Sequence, residues 1–89
     1  MSLHRYKIRG DTVLAEVARQ GQATARQFAA LIGDLQDTPR AASIGARPFI
    51  GHATDPQNTY TAPFAGQLLV YRVNDAADEV ELLGVAWLM

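Results

Sequence analysis

Four residues around one Pro- and Gly-rich stretch could do chemistry together. Arg40 and Arg47 are permanent cations, Tyr60 is a phenol, and His52 is an imidazole whose ordinary pKa near ~6.5 suits acid or base work close to neutrality. Brought onto one phosphate, the two guanidiniums and the phenol would hold it by charge-assisted hydrogen bonds while the imidazole moved a proton. The same residues also have a plainer reading, because cations and isolated histidines in loops are ordinarily just solvated. Arg5, Lys7 and Arg9 alternate along the chain and form a second group of cations. They could meet phosphates, but charge along an edge strand also keeps sheets from joining edge to edge, and that is the default. His4 and His52 supply two nitrogen ligands without a carboxylate at informative spacing, which falls short of a metal site, so no metal and no cofactor are expected. No phosphate-binding loop, nucleophile elbow, paired-carboxylate motif or dinucleotide fingerprint occurs.

Charge and composition narrow the classes further. The 89 residues carry a formal net charge of -1, with 48% hydrophobic and 19% charged residues, the makeup of a folding globular chain. All basic residues except Arg72 lie before Pro48, while Asp55, Asp75, Asp78, Glu79 and Glu81 follow it. A protein held to nucleic acid mainly by phosphate neutralisation is usually more basic. Cysteine is absent, which removes disulfides and thiolate metal sites and fits a reducing cytoplasm. The longest apolar stretches, Gly66 to Val73 and Val80 to Met89, fall well short of the ~20 residues a membrane span needs, and the first residues lack the apolar core of a signal peptide. The expectation is one soluble cytoplasmic domain over residues 1–89.

The elements that must position these groups follow from periodicity. Alternation over residues 4–9 predicts a short strand, ended by Gly10. Asp11 is placed to cap a helix over residues 12–20, in which Val13, Leu14, Val17 and Ala18 recur at helical spacing. Thr24 and Gln27 have the form of a capping box, predicting a second helix from about Ala25 to Asp37 with Ala25, Phe28, Leu31, Ile32 and Leu35 on one face. Pro39 ends it. Residues 40–58 read as a long loop with an extended piece at Pro48 to Ile50, and a loop of that length is uncommon unless functional. Strands are expected at Thr59 to Ala62, Gly66 to Val73 and Val80 to Trp87, the last two joined by a turn at Asn74 to Asp78. The strand from Gly66 is apolar on both faces and should be central. Pro63 belongs at a strand end or bulge. The fold class is α+β, with two N-terminal helices on a small antiparallel sheet in the order β-α-α-β-β-β.

That order, with "DTPR" closing the second helix and "GQLLVYRVNDAADEVELLGVAWLM" closing the chain, resembles the RelE/ParE superfamily of toxins. Gly66, Val70, Tyr71, Arg72 and Val73 match the family's glycine-led strand, Asn74 to Glu79 its polar turn, and Leu82 to Val85 its last strand. The resemblance implies a toxin of a type II toxin-antitoxin module, made beside a cognate antitoxin that lies across it. For the RelE branch it implies cleavage of messenger RNA on the ribosome, and for the ParE branch inhibition of gyrase by binding. The cations of RelE-like nucleases are missing here. Leu68 stands where an arginine commonly follows the glycine, Thr59 to Phe64 contains no cation where lysines are frequent, and Val85 is followed by Ala86, Trp87, Leu88 and Met89. The favoured expectation is therefore a toxin-like protein acting by macromolecular binding. Its alternative is a ribosome-dependent endoribonuclease with relocated residues Arg40, Arg47, His52 and Tyr60.

The apolar terminus bears on partners. Leu83, Val85, Trp87 and Leu88 form a partner site if this end is uncovered, filled by an antitoxin or by a second copy in a homodimer, and are core if the helices cover it.

Overall fold

The computed structural model describes residues 5–50, 55 and 57–88. Strand β1 (Lys7–Arg9) leads into helices α1 (Asp11–Ala18) and α2 (Gln22–Asp37), then a single 3-10 turn at Ala42–Ile44, and strands β2 (Arg47–Pro48), β3 (Thr59–Phe64), β4 (Gln67–Asn74) and β5 (Glu79–Trp87). One sheet in the order β1-β5-β4-β3-β2 carries both helices on one face, and β4 is central as its sequence predicts.

The helical faces form as expected, because each brings apolar side chains to one side every three or four residues. Val13 and Val17 from α1, and Phe28, Leu31 and Leu35 from α2, are buried against Ala62, Phe64, Leu69, Tyr71, Val73, Val80 and Leu82, with Ile32 packed at the margin. The Phe28 and Phe64 rings meet at 4.9 Å between centroids, tying α2 to β3.

The helix starts differ from expectation. α2 begins at Gln22, and Gly21, at φ 108, occupies the cap position without any side-chain bond, so Thr24 lies in the first turn and Gln27 in the second, and they form no capping box. Only Arg19 to Gly21 separate the two helices, and reversing direction in so short a link needs the left-handed backbone that glycine tolerates. Asp11 likewise does not cap α1. It is the first helical residue, where its charge faces the positive end of the helix dipole. The position before it is Gly10, at φ 135, and a Cβ there would lie 2.7 Å from that of Leu82. Glycine thus lets the chain turn out of the sheet directly against β5.

The sheet is mixed rather than wholly antiparallel. β1 pairs parallel to β5, Lys7 with Glu79 through Arg9 with Glu81, and the chain from α1 through β4 that lies between them gives the long connection that parallel pairing requires. β3, β4 and β5 form the expected antiparallel meander. Ala65 and Gly66, both at positive φ, make the two-residue turn between β3 and β4. Pro63 is the last residue but one of β3, beyond the short β2. Between Tyr71 and Val70 the ladder skips a residue: Tyr71 faces Leu82, Val70 faces Gly84, and Leu83 is the extra residue of a bulge. Among the described residues, no helix is long and apolar enough to cross a membrane.

Candidate functional site on the open face of the sheet

Pairing fixes which side chains share a face. The helix side carries Tyr60, Ala62 and Phe64 of β3, Gln67, Leu69, Tyr71 and Val73 of β4, and Val80 and Leu82 of β5. Among the described residues, no helix lies on the opposite side. Across it run Pro63, Leu68 and Ala86 in one row, and Arg47, Thr61, Val70 and Gly84 in the next. A third row holds Thr59, Arg72, Glu81 and Arg9. Residues in neighbouring strands of one row have adjacent Cβ atoms, so each row is a line of contact a ligand would meet.

The first two rows contain one cation, Arg47, and are otherwise neutral. Leu68 stands between Pro63 and Ala86, so three stretches that lack expected cations, Thr59 to Phe64, Leu68 and the residues after Val85, come together at one end of this face. The third row is charged, and its cations are paired with carboxylates in it and beside it. Arg72 meets Glu81 at 3.2 Å and Asp55 at 3.8 Å, and Arg9 meets Glu79 at 3.6 Å.

The relocated set predicted from sequence divides between the two faces. Arg40, just after α2, reaches the turn between β4 and β5 and grips the Asp75 carboxylate through both Nη1, at 3.2 Å, and Nη2, at 2.8 Å. Its guanidinium lies 5.8 Å from the centre of the Tyr60 ring. The bond to Asp75 raises the Arg40 pKa above its ordinary value despite the lowering effect of partial burial. Tyr6 donates its hydroxyl to the same carboxylate at 2.7 Å, and that bond, followed by burial, raises the Tyr6 pKa. Tyr60 in turn stacks on Tyr71 at 6.1 Å, and the Tyr71 hydroxyl donates to the carbonyl of Pro39 at 2.6 Å, with burial foremost in raising its pKa. Arg40 and Tyr60 therefore do meet, but with the guanidinium already held by the Asp75 carboxylate. Arg47 pairs with Thr61 and so projects from the other face, while Tyr60 pairs with Pro48. His52 lies outside the described residues, as do His4 and Met89.

Asp75 and Tyr6 escaped the sequence reading because they stand 35 and 69 residues from the groups they bind, with no local pattern linking them. Of the partner-site residues, Leu83, Trp87 and Leu88 are 48%, 65% and 50% exposed, whereas Val85 is partly buried against the core.

Among the described residues, two helices on one face of a five-stranded mixed sheet make up a small α+β domain. The chain is similar to the isolated Escherichia coli RelE toxin, with a TM-score of 0.70 at 20% identity over 94% of this chain and 85% of that one. It is similar to a chain of the archaeal RelE-RelB complex from Pyrococcus horikoshii, at a TM-score of 0.72, 18% identity, and 97% and 96% coverage. It is also similar to a chain of the toxin-antitoxin complex RelBE2 from Mycobacterium tuberculosis, at 0.64, 22%, 97% and 94%. Neither a protein-family model nor a curated protein sequence matches the chain. The likeness to solved structures establishes the RelE fold over nearly the whole length.

Proposed function

We propose that the chain is the toxin-like component of a type II toxin-antitoxin module and acts by binding a macromolecule rather than by cleaving RNA. The observation that carries this is the row Pro63–Leu68–Ala86 on the open face of a RelE fold. Cleaving a phosphodiester requires cationic or hydrogen-bonding groups placed where charge develops, and this row offers none. The adjacent row adds a single cation, Arg47, and in the row beyond it Arg72 is engaged with Asp55 and Glu81. An apolar, neutral lane suits a protein surface better than a polyanion. The solved relatives in complexes from Pyrococcus horikoshii and Mycobacterium tuberculosis support an antitoxin as one partner.

The test is controlled induction of the chain in a bacterial host, with transcript ends mapped before and after. Growth inhibition with intact transcripts, relieved by co-expressing the product of an adjacent reading frame, is the expected result. Codon-linked cleavage that disappears in Arg40→Ala or Arg47→Ala would instead establish the relocated nuclease and overturn the binding reading.

A further inference from the structure

Arg9, Arg40 and Arg72 each meet a carboxylate. Arg47 is exposed, and its side chain has no ion pair or hydrogen bond among the described residues. Its backbone is nonetheless fixed. The Ala46 amide donates to the Ala41 carbonyl at 3.3 Å and the Phe49 amide to the Thr59 carbonyl at 2.9 Å, while Pro48 restricts the chain between them. One uncompensated cation is thus held at the rim of the open face.

From Arg47 the row runs through Thr61 and Val70 to Gly84. Gly84 leaves room above the sheet, since a Cβ built there would meet nothing within 4 Å. Ala86, the next residue of β5 on this face, is also small, whereas Val70 and Leu68 stand opposite these two on β4. The end of β5 therefore forms a low shelf beside an apolar wall. Three inter-strand spacings of about 4.8 Å place that shelf about 14 Å from the start of the Arg47 side chain.

We propose that the partner docked on this face is an acidic, apolar protein segment. A bulky apolar side chain rests on the shelf of Gly84 and Ala86 against Leu68 and Val70, and an aspartate or glutamate about four extended residues away pairs with Arg47. This rests on the binding reading above and adds the chemistry of the partner. A carboxylate fits the planar fork of a guanidinium with two hydrogen bonds, and such a pair at a rim selects a partner by charge more than it adds affinity. A nucleic acid strand would also meet Arg47, but one uncompensated cation in two rows releases few counterions, and the strand would lay phosphates over Leu68 and Val70.

Two peptides test this on the full chain, with backbone amide NMR as the readout because it registers weak binding. One is a capped peptide with two leucines and, four residues further on, two glutamates, the remainder being serine and glycine. The other carries lysines in place of the glutamates. The glutamate peptide should bind about tenfold more tightly or better, shift the amides of Arg47, Thr61, Val70 and Gly84, and weaken as salt is added. Arg47→Glu should reverse the preference between the peptides. Gly84→Phe fills the shelf and should weaken the glutamate peptide about tenfold, with circular dichroism unchanged in both variants. The proposal is overturned if neither peptide binds, if both bind equally, or if Arg47→Glu leaves the preference as it was. It is equally overturned if the shifts fall elsewhere, or if a uridine oligonucleotide shifts the same amides at lower concentration than the glutamate peptide. Induction in a bacterial host separates this inference from the reading beneath it. Growth arrest with intact transcripts that persists in Arg47→Glu overturns the inference alone, whereas codon-linked cleavage overturns the binding reading.

Discussion

Arg40 binds the carboxylate of Asp75 with both terminal nitrogens, at 3.2 and 2.8 Å, and so fastens the segment after α2 to the turn between β4 and β5. Tyr6, preceding β1, closes on the same carboxylate at 2.7 Å. Three parts of the chain that share no secondary structure thus converge on one acidic group. A guanidinium held this way is a clamp for the scaffold, and recruiting it to a phosphate would require breaking a bidentate pair first.

Asp75→Asn tests the clamp. The Arg40 and Asp75 side chains are 35% and 60% exposed, so solvent screens the pair and its loss should lower unfolding stability by only about 0.5–1 kcal/mol, less at high salt. The same substitution should bring the Tyr6 pKa down toward the ordinary phenol value, because the carboxylate is the main reason it is raised. Urea unfolding with ultraviolet titration of the tyrosines measures both. An unchanged Tyr6 titration would mean that Asp75 does not hold the hydroxyl in solution.

Tyr71 sets the alkaline limit. Its folded pKa lies above the unfolded value near ~10, so the folded state favours the neutral phenol. Its contribution is then fully present below pH ~10 and is lost as pH rises from there through the folded pKa. Stability measured by urea unfolding should be flat with respect to this group at neutral pH and fall above pH ~10. Tyr71→Phe should reduce that slope and cost about 1–3 kcal/mol, since the carbonyl of Pro39 would lose its donor in a buried place.

Phe28 is 4% exposed and packs on Phe64, joining α2 to β3. Phe28→Ala should cost about 3–5 kcal/mol through lost burial and the cavity left behind. A loss below ~1 kcal/mol would show that the pocket collapses or that the ring is not in the core.

Gln67 is fully buried at the start of β4, and its amide exchanges hydrogen bonds with Gln20 just beyond α1, at 3.1 and 2.5 Å. Gln20→Ala should cost about 1–3 kcal/mol by leaving a buried amide unsatisfied, whereas Gln20→Leu with Gln67→Leu together should cost much less than the two singles summed. Additive losses in this double-mutant cycle would mean that the two amides do not depend on each other.

Much of this protein was decided locally. Val13, Val17, Phe28, Leu31 and Leu35 face the core because helical spacing puts them on one side, Pro39 stops α2, and the short turn from Asp75 to Asp78 forces β4 and β5 to return antiparallel. The absence of cations at Leu68 and through Thr59 to Phe64 was equally plain from the residues alone. What distant segments contribute was not. The capping box at Thr24 had the right residue types, yet a short link with Gly21 at positive φ started the helix earlier. Tertiary pairing alone made β1 parallel to β5, put Arg47 and Tyr60 on opposite faces, and brought Asp75 to Arg40. The last strand shows the difference in one residue. Strict alternation groups Leu83, Val85 and Trp87, but the bulge at Leu83 shifts the phase, so that Val80 and Leu82 before it share the helix side with Val85 and Trp87 after it. A period of two is a property of the chain, whereas an extra residue in a ladder exists only relative to the strand beside it, which is why sequence could supply the apolar run and only β4 could decide its faces.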